Sequence, residues 1–155
     1  MDIIESGNIF DSKAQTLVNT VNCMGVMGKG LALQFKKKYP DMFVAYERLC
    51  KDRLLDIGKL WLYKTDHRWI LNFPTKYDWR FPSNEYYLEQ GLEKFLDTYK
   101  QRGIESIAFP LLGASNGGIE PEASLQIMSK YLQRCEIPVT IYLYYAPGPT
   151  INELF

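Results

Sequence analysis

Histidine occurs once, at His67, and cysteine three times, at Cys23, Cys50 and Cys135. The cysteines lie far apart and form no Cys-x-x-Cys pair, which argues against a disulfide framework or a clustered zinc site. Free thiols suit a reducing cytosol. A Ser-His-Asp machine would have to recruit His67, which lies in the polar turn Thr65-Asp66-His67-Arg68 and reads as a solvated turn residue. No apolar run approaches the roughly 20 residues of a membrane helix. The opening segment, MDIIESGNIF, lacks the basic residues that precede the apolar stretch of a secretory signal. A cytoplasmic protein without a membrane partner is therefore expected. Neither sign of charge is in excess: 18 basic and 18 acidic residues leave a net charge of zero. No global field gathers nucleic acid, although a local basic patch is compatible with this balance. No linker, repeat or low-complexity run divides the chain, and one domain over residues 1–155 is the economical reading.

What is present is ordinary for a globular chain: 46% apolar and 23% charged residues. Aromatics reach 14%, with 11 tyrosines. Tyrosines in this number suit a binding cleft, where rings stack and hydroxyls bond, and equally the edge of a core. Short apolar runs alternate with longer helical ones, the pattern of an α/β fold. Strands are expected at Asp2 to Ile4, Thr16 to Asn19, Lys59 to Tyr63, Trp69 to Phe73, Ser106 to Pro110 and Val139 to Tyr145. A helix beginning near Leu31 should stop before Pro40, because the residue before proline disfavours the helical region. Asp41 is a candidate cap for a helix reaching about Lys51. Ser83 is a candidate cap for a helix through Gln101. Leu88, Leu92, Phe95, Leu96 and Tyr99 recur there at helical spacing and read as a core stripe. Pro121 suits the first turn of a helix ending near Cys135.

Two glycine-rich loops each follow a buried strand and precede a helix: Cys23 to Gly30, and Leu111 to Ile119. Ligands of open α/β sheets bind at such strand ends. Backbone N–H groups in a glycine loop and at a helix N-terminus attract phosphate, so two such loops on one sheet could grip a diphosphate from both sides. Neither is a triphosphatase P-loop, because Lys29 is followed by Gly30 and Gly25 stands too close. The G-x-G-x-x-G dinucleotide fingerprint does not fit either. Asn19 and Asn22 near the strand end have amides suited to ribose hydroxyls, or to building a turn. Asn8 presents the same choice between capping a helical turn and reading a base edge. Lys76 sits among Tyr77, Trp79 and Phe81. Partial burial there would lower its pKa and make it a better nucleophile or proton donor, whereas an ordinary loop lysine is simply solvated. Arg80 suits either a phosphate or an ion pair.

The run VNTVNCMGVMGKGLALQFKKKYPDMF resembles the first ligand loop of macrodomains. Within that superfamily it resembles the DarG group, bacterial antitoxins that remove ADP-ribose from thymidine in DNA. Asn72-Phe73-Pro74-Thr75-Lys76, followed by Trp79-Arg80, and the segment LLGASNGGIEP extend the resemblance over essentially the whole chain. It implies a three-layer α/β/α sandwich with a mixed, roughly six-stranded sheet and ADP-ribose lying across the strand ends. Asn8 and Ile9 are then expected near the adenine. Asn22 faces the distal ribose as part of the catalytic centre, and Asn19 lies along the ligand. Gly28, Lys29 and Gly30 supply the first loop. Leu112, Gly113, Ala114, Ser115, Asn116, Gly117 and Gly118 supply the diphosphate loop. Lys76 stands at the family's catalytic lysine, with Tyr77, Trp79 and Arg80 as candidate DNA contacts. Two positions depart from the pattern: Asn8 stands where many macrodomains have Asp, and Asp78 where a histidine is expected before Trp79.

The activity so implied is hydrolysis of the N-glycosidic bond between ADP-ribose and thymidine in single-stranded DNA. It needs no metal and no cofactor, and ADP-ribose is ligand or product. A monomer and a DarT-type toxin partner are also implied, although the longer antitoxins carry a further C-terminal region. No paired carboxylates of the glycosidase kind appear in the motifs. That leaves Lys76 as a neutral amine attacking the sugar, or as an ammonium stabilising the leaving base. Competing readings share the cleft: hydrolysis of protein-linked or small-molecule ADP-ribose, or ADP-ribose binding without catalysis. A nucleotide-binding or structural α/β domain of another family is the third.

Overall fold

The computed structural model describes residues 1–146. Six strands form one mixed sheet: β1 (Asp2–Gly7), β2 (Thr16–Val21), β3 (Trp61–Lys64), β4 (Trp69–Pro74), β5 (Ile107–Pro110) and β6 (Val139–Tyr145). Four helices connect them: α1 (Gly30–Lys38), α2 (Pro40–Lys51), α3 (Glu85–Arg102) and α4 (Pro121–Leu132). The sheet order is β1-β6-β5-β2-β4-β3. All neighbours pair in parallel except β3 with β4. The expected strands and helices are all present. The bounds differ by up to three residues, most at the end of β1, which runs on from Ile4 to Gly7, and at the end of α4, where Leu132 rather than Cys135 is the last helical residue.

Strand side chains alternate between faces, and the core accordingly divides into two. Val18, Leu71, Phe73, Ile107, Phe109 and Ile141 pack with α3 and α4 residues such as Leu88, Leu92, Phe95 and Met128. Leu17, Val21, Ile70, Ala108 and Tyr142 pack on the opposite side with Phe35, Met42 and Tyr46 from α1 and α2. The result is the three-layer α/β/α sandwich. The central strand β2 is covered on both faces, so residues pointing either way along it are buried, the polar Thr16 and Asn19 included.

Two expected caps fall elsewhere. Pro40 occupies the first position of α2, where its missing N–H is no loss. Tyr39 precedes it without a side-chain cap, so Asp41 lies inside the first turn and not at the cap. The cap of α3 is Asn84, whose side-chain oxygen accepts from Tyr87 N–H at 3.0 Å. Ser83 is one residue too early, and its hydroxyl is used in another way.

Because β1, β2, β4, β5 and β6 run in one direction, the loops after them emerge at one edge of the sheet. Helix α3 sits directly on β4 through Gly91, where a Cβ would lie 2.2 and 2.4 Å from two ring atoms of the fully buried Phe73. Gly91→Ala should therefore lift α3 from the sheet and cost about 3 kcal/mol, read as a fall in the urea midpoint. An unchanged midpoint would refute this seating.

Candidate functional site

The loop after β2 is built by the side chain of Asn22. Its Oδ1 accepts from Met24 N–H at 2.9 Å, and its Nδ2 donates to the Val26 carbonyl at 2.7 Å. Tyr46 of α2, completely buried, brings its hydroxyl within 2.7 Å of the Asn22 carbonyl oxygen and 3.0 Å of Oδ1. Of the two uses foreseen for Asn22, the turn-building one is visible. Asn22 therefore positions the loop. Asn19 must be corrected. It lies inside β2, not at its end, and is wholly buried. Its amide donates to Asn72 Oδ1 at 3.1 Å and faces Met27 Sδ at 3.7 Å, out of a ligand's reach.

Beyond this turn the chain passes exposed Gly28 and Lys29 and enters α1 at Gly30. Lys29 makes no side-chain cap. The first-turn N–H groups, which have no partner within a helix, are thus presented at the edge where the loops gather. Gly30 has φ of +63°, and a Cβ there would stand 2.9 Å from Asn116 Nδ2. The two glycine loops therefore converge, and glycine is what permits the approach.

The second loop is a tight arch. Gly113, with φ of +69°, accepts Ile119 N–H at 3.0 Å, and a Cβ on Gly117 would fall 2.3 Å from the Gly113 oxygen. Ser115, Asn116 and Gly118 are exposed and Ala114 half-buried, so they form the accessible crest. Leu112 is corrected: its side chain is in the core, its N–H faces Met128 Sδ at 3.5 Å, and its carbonyl accepts from Ser124 Oγ at 2.6 Å. Gly113 and Gly117 are likewise buried supports of the crest. At the remaining loop Asn8 caps a 3-10 turn (Ile9–Asp11) by accepting from Phe10 N–H at 2.9 Å. Ile9 buries its side chain, so a ligand could meet only its backbone.

Lys76 is half-buried on the loop after β4, with Nζ 3.5 Å from the Trp79 carbonyl oxygen. Burial lowers its pKa from the ordinary lysine value, and the neighbouring positive charge of Lys29 lowers it further. An opposite charge would raise it, so the first loop acts on Lys76 as a source of positive charge. Cys23 N–H donates to the Tyr77 carbonyl at 2.8 Å, and Cys23 Sγ lies 3.7 Å from the Lys76 carbonyl. The thiol is no nucleophile there, since burial pushes its pKa up to about 12. Arg80 resolves to the ion pair. Its Nε and Nη2 meet the Asp78 carboxylate at 3.0 and 2.5 Å. Those bonds hold the carboxyl at about pKa 2. The rings of Tyr77, Trp79 and Phe81 remain exposed. No group of three or more His, Cys, Asp or Glu able to hold a metal ion occurs among the described residues, and no described helix is long and apolar enough to cross a membrane.

The Macro domain family model matches residues 18–128, the stretch from β2 through both glycine loops and into α4. The chain belongs to the Macro domain family. It is 42% identical over 142 residues to the DNA ADP-ribosyl glycohydrolase of Mycobacterium tuberculosis (strain ATCC 25618 / H37Rv), covering 88% of this chain and 40% of the relative. To the DNA ADP-ribosyl glycohydrolase of Thermus aquaticus it is 44% identical over 126 residues, covering 78% and 35%. The chain thus spans about 40% of the length of the curated relatives it matches. Among solved structures, the macrodomain of Mycobacterium tuberculosis DarG superposes with a TM-score of 0.86 at 41% identity, covering 94% of this chain and 98% of that one. Thermosipho africanus DarTG in complex with ADP-ribose gives 0.84 at 39% identity, covering 93% and 41%.

This macrodomain depends on a residue assigned a different role from sequence. The Ser83 hydroxyl donates to the Thr75 carbonyl, and Ser83 N–H donates to the Gly117 carbonyl at 2.8 Å. Ser83→Ala would strand a buried carbonyl, so it should cost about 2 kcal/mol and speed amide hydrogen exchange in the loop 111–119. Asn84→Ala should cost about 1 kcal/mol through α3 alone and leave exchange in that loop unchanged. Equal exchange of that loop in the two variants would contradict the assignment.

Proposed function

We propose that this macrodomain binds ADP-ribose and hydrolyses its N-glycosidic bond to thymidine in single-stranded DNA. The observation that carries the reading is Lys76: half-buried, with a lowered pKa, and tied through Cys23 to the loop that faces it. The relatives named as DNA ADP-ribosyl glycohydrolases and the likeness to an ADP-ribose complex support the same substrate class. In this reading the α1 N-terminus and the crest Ala114 to Gly118 bind the diphosphate through backbone N–H groups. Asn8 and the Ile9 backbone lie toward the adenine. Asn22 keeps the first loop shaped around the distal ribose, and Gly28, Lys29 and Gly30 line its approach. Tyr77 and Trp79 offer exposed rings on which bases of the strand stack. A DarT-type toxin is the partner that would supply the modified strand, and the domain acts in the cytoplasm as a monomer without a cofactor.

Lys76 as a free amine attacks the anomeric carbon of the ribose. The new C–N bond replaces the bond to the thymine base of the strand, which leaves with the electron pair and receives, through water, the proton that the attacking nitrogen sheds. Water then releases the ribose from the lysine. Burial favours this role because it raises the fraction of neutral amine. The loops contribute by fixing the ribose in the reactive pose.

The test follows ADP-ribose release from single-stranded DNA carrying ADP-ribosyl-thymidine. Lys76→Ala should lower kcat by about 10²-fold or more and still show the thermal stabilisation by ADP-ribose that native-state binding produces. Equal turnover in the variant would eliminate the scheme. The wild-type kcat should rise with pH and level off below 10.5, the ordinary lysine value. A rate that falls over that range would mean that the ammonium form acts on the leaving base.

A further inference from the structure

Beside the Lys76 loop, between α2 and the turn after β2, lies an open groove of about 840 Å³. Cys23 lines it where it adjoins the Lys76 loop, and Tyr77, the residue after Lys76 and 52% exposed, lines it as well. Three cations line it: Arg48, Lys51 and Arg53. Glu47 is the one acidic group in that lining. Arg48 has a loose contact with Asp52 at 3.8 Å, both side chains being well exposed. Lys51 and Arg53 form no ion pair among the described residues. Arg80, the sequence candidate for a phosphate contact, is by contrast occupied by Asp78.

Arg53 carries a second observation. Its φ is +57°, the only positive value at a non-glycine residue among those described. Arg53 N–H donates to the Cys50 carbonyl at 3.1 Å, and Leu54 N–H to the Leu49 carbonyl at 2.8 Å, closing α2. Glycine is the usual residue at such a left-handed helix end. An arginine kept in strained backbone is a pointer from geometry to function.

We propose that this groove holds the sugar-phosphate backbone of the single strand flanking the modified thymidine, with Arg48, Lys51 and Arg53 on its phosphates. The inference rests on the substrate class proposed above and adds where the rest of that substrate lies. The charge pattern fits a polyanion and the groove is continuous with the catalytic loop through Tyr77. With a net charge of zero, attraction for the phosphates of a strand has to come from such a local patch.

The experiment measures binding of a short fluorescein-labelled oligothymidylate by anisotropy, with ADP-ribose saturating. Wild type is compared with Arg53→Gly and with Arg48→Ala/Lys51→Ala/Arg53→Gly. Glycine suits the backbone at 53, so Arg53→Gly should not lower the thermal midpoint. Strand affinity should fall about tenfold or more in the triple variant, with the ADP-ribose thermal shift retained. Wild-type affinity should fall roughly tenfold between 50 and 200 mM salt and the triple variant's hardly at all, as expected for about three phosphate contacts. No measurable strand binding by wild type, equal affinity in the triple variant, or equally tight binding of an acidic peptide would each overturn the groove. Failure of wild type to release ADP-ribose from a modified strand would count against the proposed reaction instead, since the anisotropy reads binding without turnover.

Discussion

The loops that carry the site are held in register by two hydrogen bonds from one residue, Ser83. Its hydroxyl reaches the Thr75 carbonyl and its N–H the Gly117 carbonyl. Thr75 N–H in turn donates to the Val21 carbonyl at 2.9 Å. The end of β2, the lysine loop and the second glycine loop are therefore one connected unit. Each bond is modest by itself, because folding exchanges water partners for protein ones. The loss of any one is larger, since Ser83 is buried and its partners would be stranded without water. The constraint also explains the crowding around the second arch. With Ser83 drawing Gly117 inward, Gly113 and Gly117 must pass with no room for a Cβ.

A second constraint lies under the site. Asn19 on β2 and Asn72 on β4 are register partners, and both are completely buried. Asn72 completes its amide toward Met42 Sδ at 3.6 Å and the Trp61 carbonyl at 3.4 Å. The Asn19 oxygen has no hydrogen-bond partner among the described residues. A pair of this kind stabilises less than two apolar residues of equal volume would, but it penalises any slip of β4 against β2. The register it fixes sets the distance between Asn22, one residue beyond β2, and Lys76, two beyond β4. Precision at the edge is thus secured inside the sheet.

The fold was legible in the sequence wherever one residue type carries a local signal. The apolar run of β6 gave its bounds outright, Pro40 marked the break between two helices, and the two glycine loops marked the edge of the sheet. The partial burial of Lys76 and its lowered pKa were legible because its neighbours are aromatic in a short segment. What escaped were roles set by partners distant in the chain. Ser83 next to Asn84 offers two oxygen-bearing caps in series, and only the course of Gly117, 34 positions later, separates keystone from cap. Asn19 looked terminal because its strand was read two residues short. Its true partner, Asn72, lies on another strand. Leu112 belonged to the matching motif, yet the motif includes the core residues that prop the loop as well as those that face outward. The groove cations gave no pattern at all, since Arg48, Lys51 and Arg53 become neighbours of Tyr77 only when α2 packs beside the turn after β2.

A chain of zero net charge must still explain how it would attract anions, and the answer lies in how its cations are partnered. Lys36 lies 4.2 Å above the ring of Phe43, and Lys38 lies 4.8 Å above that of Phe10. Lys100 is tied to Glu136 at 2.5 Å, far from the site. Those contacts hold the basic end of α1 and the end of α3 against the protein's own surface. Lys29 and Lys76 are different: no carboxylate lies within ion-pair distance of either among the described residues, and the positive charge of Lys29 adds to the cost of charging Lys76. A diphosphate entering between the α1 N-terminus and the second loop would relieve that repulsion. The same charge would then restore part of the Lys76 ammonium, opposing a nucleophilic amine. In the proposed reaction, catalysis by the free amine therefore requires the phosphates to sit closer to Lys29 than to Lys76, and the two glycine loops do converge at Gly30, next to Lys29 in the chain.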